Sequence, residues 1–383
     1  MSTKPRPFKI RIPQETLDSV RARVKAYEWG YMPDNGGWEY GTNLDYLRGI
    51  CRYWVEAYDW RKHEARLNGF EQFVAPVEGI DLHFICEKGS GPRPMPMLLM
   101  HGWPGSVVEF VDIIEALAHP ERFGGKVEDA FDVIAPSLPG FGFSGRPSRP
   151  MGPRAMARVL NTLMTKELGY ERYLAQGGDW GSTIGSWIGY DHASACMALH
   201  INCPTMRHVD GPQTPEEVAW AEKFERDQVM QEGYRTQQAT KPQTLSYAMS
   251  DSPVGLAAWI IEKFHGWSDI KGDDVETAHS KDALLTNIMV YLVTHSFNSA
   301  SWIYFGRREE GGRVLGTDGR RVEVPTAAAL FPAEMLAWPP RSYAERLYNI
   351  TRWTEMPRGG HFPAMEQPQL LIDDVREFAR SLR

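Results

Sequence analysis

Four cysteines in 383 residues, none in a CxxC pair, leave this chain without a disulfide framework or a zinc-type ligand cluster. Cys51, Cys86, Cys196 and Cys203 read instead as reduced thiols of a cytoplasmic protein. No apolar run approaches the roughly 18 residues needed to cross a bilayer. Residues 1–20 are polar and charged, so no signal peptide is expected. Basic residues are the minority: 42 Lys and Arg stand against 49 Asp and Glu, a net charge of −7. That balance argues against a nucleic-acid partner and, with the missing apolar runs, points to a soluble protein without a membrane partner.

The chain does have ample core material, with 42% hydrophobic residues, and its length exceeds that of a usual single core. The expectation is therefore one large core with accessory segments. Residues 1–70 read as helical and rich in Trp and Tyr. Leu17, Val20 and Val24 recur at helical spacing, and Asn43 is placed to cap a second helix through Leu47, Ile50, Trp54 and Tyr58. Alternating strands and helices follow over 71–204. Met97-Leu98-Leu99-Met100 and Phe131-Asp132-Val133-Ile134-Ala135 have the unbroken apolar character of buried parallel strands. From 205 to 315 the strand signal disappears into long helical stretches, expected to form a lid (cap) domain. Strand pattern returns at Val322-Glu323-Val324 and at 349–354, and a terminal helix starts near Pro368. This order gives an α/β class with a mostly parallel central sheet, its core formed by 71–204 and 316–383.

The chemistry starts at Gly177-Gly178-Asp179-Trp180-Gly181. Small-x-nucleophile-x-small marks the sharp strand-to-helix turn of α/β-hydrolases, where glycines leave room for a strained nucleophile. A serine there makes an acyl-enzyme. An aspartate attacks saturated carbon and makes an alkyl ester on the protein itself. The competing reading is a surface turn in which Asp179 merely caps the following helix.

Other motifs favour the elbow. His101-Gly102-Trp103-Pro104-Gly105-Ser106 follows the first buried strand, where an oxyanion loop belongs. The backbone N–H groups of Trp103 and Trp180 are expected to converge on one oxygen of Asp179. His101, at a strand end, reads as structural. His361, in Arg358-Gly359-Gly360-His361-Phe362, follows the last strand, matching the nucleophile–acid–base order of this fold. Its orienting acid is Glu334 or, alternatively, Asp210; helix capping after Pro332 is a rival role for Glu334. Gly140-Phe141-Gly142-Phe143-Ser144-Gly145 matches the dinucleotide fingerprint in letters only, because Pro147 and Pro150 forbid the helix that must follow.

Together these stretches resemble the epoxide hydrolases of the microsomal and juvenile-hormone class, from Pro7-Phe8-Lys9-Ile10 to Glu366-Gln367-Pro368. The lid segment from Ala239-Thr240-Lys241-Pro242 through 251–258 belongs to the same likeness. Without an N-terminal anchor, the chain is similar to the soluble bacterial members. The resemblance implies Asp179 as nucleophile, His361 as base and Glu334 as its acid. It further implies that Tyr234 and Tyr304, both in the lid, hydrogen-bond the epoxide oxygen. Phenols with pKa near 10 stay protonated at neutral pH and donate to the leaving alkoxide, while His361, neutral near pKa 6.5, activates water. No cofactor or metal is expected. The expected partner is a small epoxide, bulky and apolar or aryl, and a homodimer is compatible with this reading. A haloalkane dehalogenase using the same Asp and His, or a non-catalytic receptor on the same fold, are the other functions these motifs allow.

Overall fold

The computed structural model describes residues 4–31, 37–229 and 231–383; positions 32–36 of the expected N-terminal helical segment and 230 of the expected lid lie outside them. Among the described residues, nine strands form the central sheet: β1 (Arg6–Pro7), β2 (Gln72–Val77), β3 (Ile80–Glu87), β4 (Met95–Met100), β5 (Phe131–Pro136), β6 (Tyr173–Gly177), β7 (Cys196–Ile201), β10 (Val322–Leu330) and β11 (Tyr348–Glu355). Their spatial order is β1-β2-β3-β5-β4-β6-β7-β10-β11. The pairs on the β1–β3 side, ending with β3 on β5, are antiparallel; every pair from β5 to β11 is parallel. β5 and β6 are buried along their whole length, as continuous apolar strands covered on both faces must be.

β10 runs well past Val322–Val324, to Leu330. Ala327-Ala328-Ala329 has little intrinsic strand preference, yet lies between β7 and β11, where pairing and burial override local propensity. A second departure lies at the ends of the 205–315 stretch. Arg207–His208 (β8) and Val314–Leu315 (β9) pair in parallel, joining the start of that stretch to its end. Two residues are too short to show a strand period, so no strand signal was available there. Six helices of eight residues or more lie between, including Glu232–Thr240, Pro253–Trp267, Lys281–Val293 and Phe297–Glu309.

The N-terminal segment joins the sheet edge through β1 on β2. Its helices, Gln14–Lys25, Leu44–Glu56 and Trp60–Leu67, lie against Pro253–Trp267 and Lys281–Val293. The Asn43 side chain accepts from the Tyr46 N–H and so caps the second helix. Tyr53 donates to Asp282 (2.8 Å), and Thr42 donates to the Ala258 carbonyl (2.6 Å).

The helix Asp179–Asp191 lies on the sheet through a stripe of glycines four residues apart. A Cβ on Gly181 would stand 2.1 Å from the Met100 carbonyl oxygen, and one on Gly189 would stand 2.8 Å from Val322. The Met100 carbonyl belongs to β4 and cannot yield. Gly181→Ala is therefore expected to cost about 3 kcal/mol, the upper end for overpacking. Gly233→Ala, with nothing within 4 Å of the added Cβ, should be neutral or stabilising by up to about 1 kcal/mol. Denaturant midpoints of the two variants measure the difference.

Candidate active site

β6 ends at Gly177 and the following helix begins at Asp179, whose φ of 44° is in the left-handed region that a non-glycine residue rarely adopts. The strain aims its carboxylate across the strand ends at the loop after β4. There the Trp103 N–H donates to Oδ1 at 2.7 Å, and the Trp180 N–H also supports the carboxylate. A Cβ on Gly102 would fall 2.3 Å from Oδ1, so only glycine lets this loop approach so closely.

His361 sits in the loop after β11, its N–H bonded to the Trp267 carbonyl at 2.9 Å. Nδ1 lies 2.9 and 3.0 Å from the two oxygens of Glu334. Nε2 has no hydrogen-bond partner among the described residues and faces Asp179 Oδ2 at 3.7 Å. Glu334 lies in the loop after β10, not in a helix, and also accepts from the Leu336 N–H. Asp210 lies apart from this array; its side chain is 61% exposed and pairs with His208 at 3.5 Å. His101 is buried, with Nδ1 on the Gly102 carbonyl and Nε2 accepting from the Leu138 N–H. The helix after Gly140–Gly145 begins only at Pro153.

Burial raises the Asp179 pKa above the ordinary aspartate value, while His361 and the two amides pull it back. Burial alone would lower His361, but Glu334, then Asp179, outweigh it and raise the pKa to about 9. The ordinary value of 6.5 expected for the ring does not hold in the free site, where two carboxylates favour the protonated imidazole.

Tyr234, on Glu232–Thr240, and Tyr304, on Phe297–Glu309, cover Asp179. Their rings lie 5.8 Å apart, edge to face. Trp103 stacks on Tyr234 at 5.1 Å, and Trp180 meets Tyr304 edge-on at 4.7 Å. Burial raises both phenol pKa values, so both stay protonated, and the buried Tyr304 hydroxyl lies beside the Tyr234 hydroxyl and the Trp180 side chain. Two cavities flank Asp179. One lies towards the tyrosines; the other reaches His361, Gln176, Asn202 and Glu109.

Sequence reasoning missed three groups here. The Glu109 carboxyl is pushed up to about 8 by burial, so it is neutral at pH 7. Glu366 accepts from the N–H groups of Asp269, Gly360 and Phe362, and thereby clamps the loop that carries His361. Cys203 lies beside Glu334 and His361, its thiol pushed well up by burial. Each is an isolated letter whose role arises only from folding, so no spacing announces it.

The His361 titration can be checked directly. Its folded pKa lies above the ordinary 6.5. Its proton therefore stabilises the fold fully below about pH 6.5, and that contribution is lost as pH rises through about 9. Imidazole NMR of the free protein should show a midpoint near 9, and Glu334→Gln should lower it by at least about one unit. A midpoint at or below 6.5 in the wild type would contradict the assignment.

Residues 5–110 match the family model described as epoxide hydrolase N terminus, and 95–254 match that of the alpha/beta hydrolase fold. Epoxide hydrolase 1 of Sus scrofa is 35% identical, over 97% of this chain and 88% of that protein. The crystal structure of juvenile hormone epoxide hydrolase from the silkworm Bombyx mori superposes with a TM-score of 0.89, at 28% identity, over 100% of this chain and 95% of that one. The Aspergillus niger epoxide hydrolase structure gives 0.87 at 30% identity, over 99% and 97%. With an α/β-hydrolase sheet and relatives of this identity along nearly its whole length, the chain belongs to the epoxide hydrolase family.

Proposed function

We propose that this enzyme converts an epoxide to a vicinal diol through a covalent ester on Asp179, with 205–315 acting as the lid over the core. The observation that carries the mechanism is the run of Glu334, His361 and Asp179 beneath two protonated phenols. Asp179 Oδ2 attacks one ring carbon, the ring C–O bond breaks, and the alkoxide takes a proton from Tyr234 or Tyr304. Oδ1, held by Trp103, becomes the ester carbonyl oxygen.

Esterification removes the charge on Asp179, and with it part of what holds the His361 proton. That proton restores the phenol. Neutral His361 then takes a proton from water as the oxygen attacks Cγ, and the oxyanion forms on Oδ1 against the two amides. When the tetrahedral intermediate collapses, the diol oxygen leaves with a proton and Asp179 is again a carboxylate. The cycle returns every group to its resting state.

Trp103, Trp180 and Trp267 around the phenols favour a bulky apolar or aryl group beside the epoxide. Four buried free cysteines support a reducing, cytoplasmic compartment; among the described residues, no helix is long and apolar enough to cross a membrane. The second reading, haloalkane dehalogenation, is favoured by one feature: among the described residues, the buried indole N–H of Trp103 has no acceptor and suits a departing halide.

Tyr234→Phe/Tyr304→Phe separates the two. If the phenols protonate an alkoxide, the double variant should form diol from styrene oxide about 10²–10⁴-fold more slowly in single turnover. Unchanged ester formation would remove the phenols from the mechanism. Bromide release from a bromoalkane without diol from styrene oxide would establish the dehalogenase instead.

A further inference from the structure

The cavity on the tyrosine side of Asp179 has a wall that epoxide opening leaves unexplained. Arg235, Arg307 and Arg313 line it together with the nucleophile and the phenols. Arg313 and Gln228 also line a neighbouring groove, and Arg207 joins Arg313 there. The short β8–β9 pair brings these two together, with the Arg207 N–H donating to the Arg313 carbonyl at 2.8 Å. The acids near them are few. Glu232 is taken by Arg235, Glu225 lies exposed on the neighbouring groove, and Asp179 faces His361.

Two of the guanidinium groups stand free of acceptors. Among the described residues, neither Arg307 nor Arg313 has a side-chain hydrogen bond or ion pair; Arg307 lies over Trp180 at 5.3 Å and Arg313 over Phe224 at 5.6 Å. Arg207, held between Trp220 and Phe224, spends Nη1 on two carbonyls and leaves Nη2 buried and unpartnered. Burial and mutual repulsion pull the pKa of Arg313 well down, yet arginine does not shed its proton in proteins. Grouped cations in a partly desolvated wall are stabilised by an anion, and a planar guanidinium matches a carboxylate or phosphate.

We propose that the substrate is an epoxide carrying an anionic group, whose charge is held by Arg307 and Arg313 while the ring lies between Asp179 and the two phenols. This rests on the epoxide-hydrolase reading above and narrows it. The aromatic walls take the body of the molecule; the arginines select its acidic end and favour entry from the neighbouring groove.

The test compares kcat/KM for matched epoxides. A rigid set is styrene oxide, 4-(oxiran-2-yl)benzamide, 4-(oxiran-2-yl)benzoate and 4-(oxiran-2-yl)phenyl phosphate; a flexible pair is 9,10-epoxystearate and its amide. In the wild type at least one acid should exceed its uncharged partner by about tenfold or more, and the carboxylate and phosphate arms say which anion fits. Arg313→Gln and Arg307→Gln should each bring that ratio towards one, whereas Arg313→Lys should keep most of it.

If neutral epoxides are hydrolysed as well as or better than every acid, the proposal fails and epoxide hydrolysis stands. If the glutamine variants slow acids and amides equally, the arginines serve the phenols rather than the substrate's charge, which also overturns it. Turnover of no epoxide at all overturns both readings.

Discussion

A largely enclosed carboxylate that must stay charged is the constraint on which the rest of this structure depends. Burial raises the pKa of Asp179 and would make it a poor nucleophile. Three things oppose this: the Trp103 N–H at 2.7 Å, the Trp180 N–H, and the His361 cation beyond Oδ2. Each has its own requirement. The Trp103 N–H reaches Oδ1 because Gly102 has no Cβ; the Asp179 turn exists because Gly181 lets the helix touch the Met100 carbonyl. His361 holds its proton because Glu334 lies behind it, and its loop holds its shape because Glu366 gathers three N–H groups. Sheet packing, helix placement and protonation state are therefore one problem solved at one carboxylate.

In the mechanism proposed above, the same arrangement lets one histidine serve both steps. As an imidazolium it helps keep Asp179 ionised for attack. Once Asp179 is an ester, the negative charge on that side is gone and the ring is free to act as a base. In that mechanism the switch is electrostatic, while Glu334 holds the ring at Nδ1. The 205–315 segment contributes groups of two kinds to the cavity beside Asp179. The phenols of Tyr234 and Tyr304 line that cavity with Asp179, and Arg235, Arg307 and Arg313 line it as well.

Much of this was legible in the letters, for identifiable reasons. The glycines of 177–181 and 102 are demanded by backbone contacts of a few ångströms, and such demands leave a motif. His361 could be placed because chain order in this fold is fixed and its glycines announce a loop. Glu334 was left open against Asp210, since spacing alone does not distinguish a buried acid from an exposed one; the structure pairs Glu334 with the ring and Asp210 with His208. The raised pKa of free His361 was not legible because a pKa belongs to its surroundings. The Ala327–Ala329 strand, the β8–β9 pair and the arginine cluster were illegible for a related reason. They are set by long-range pairing between segments whose local pattern carries no trace of it.

The central claim is that Asp179 becomes an ester that His361 releases. The most direct measurement is intact-protein mass spectrometry of His361→Gln incubated with styrene oxide, followed by peptide mapping. The account predicts a stable gain equal to the whole mass of the epoxide, located on the peptide that contains Asp179. A protein that shows no such adduct while the wild type turns the epoxide over, or that carries it on another residue, would contradict it.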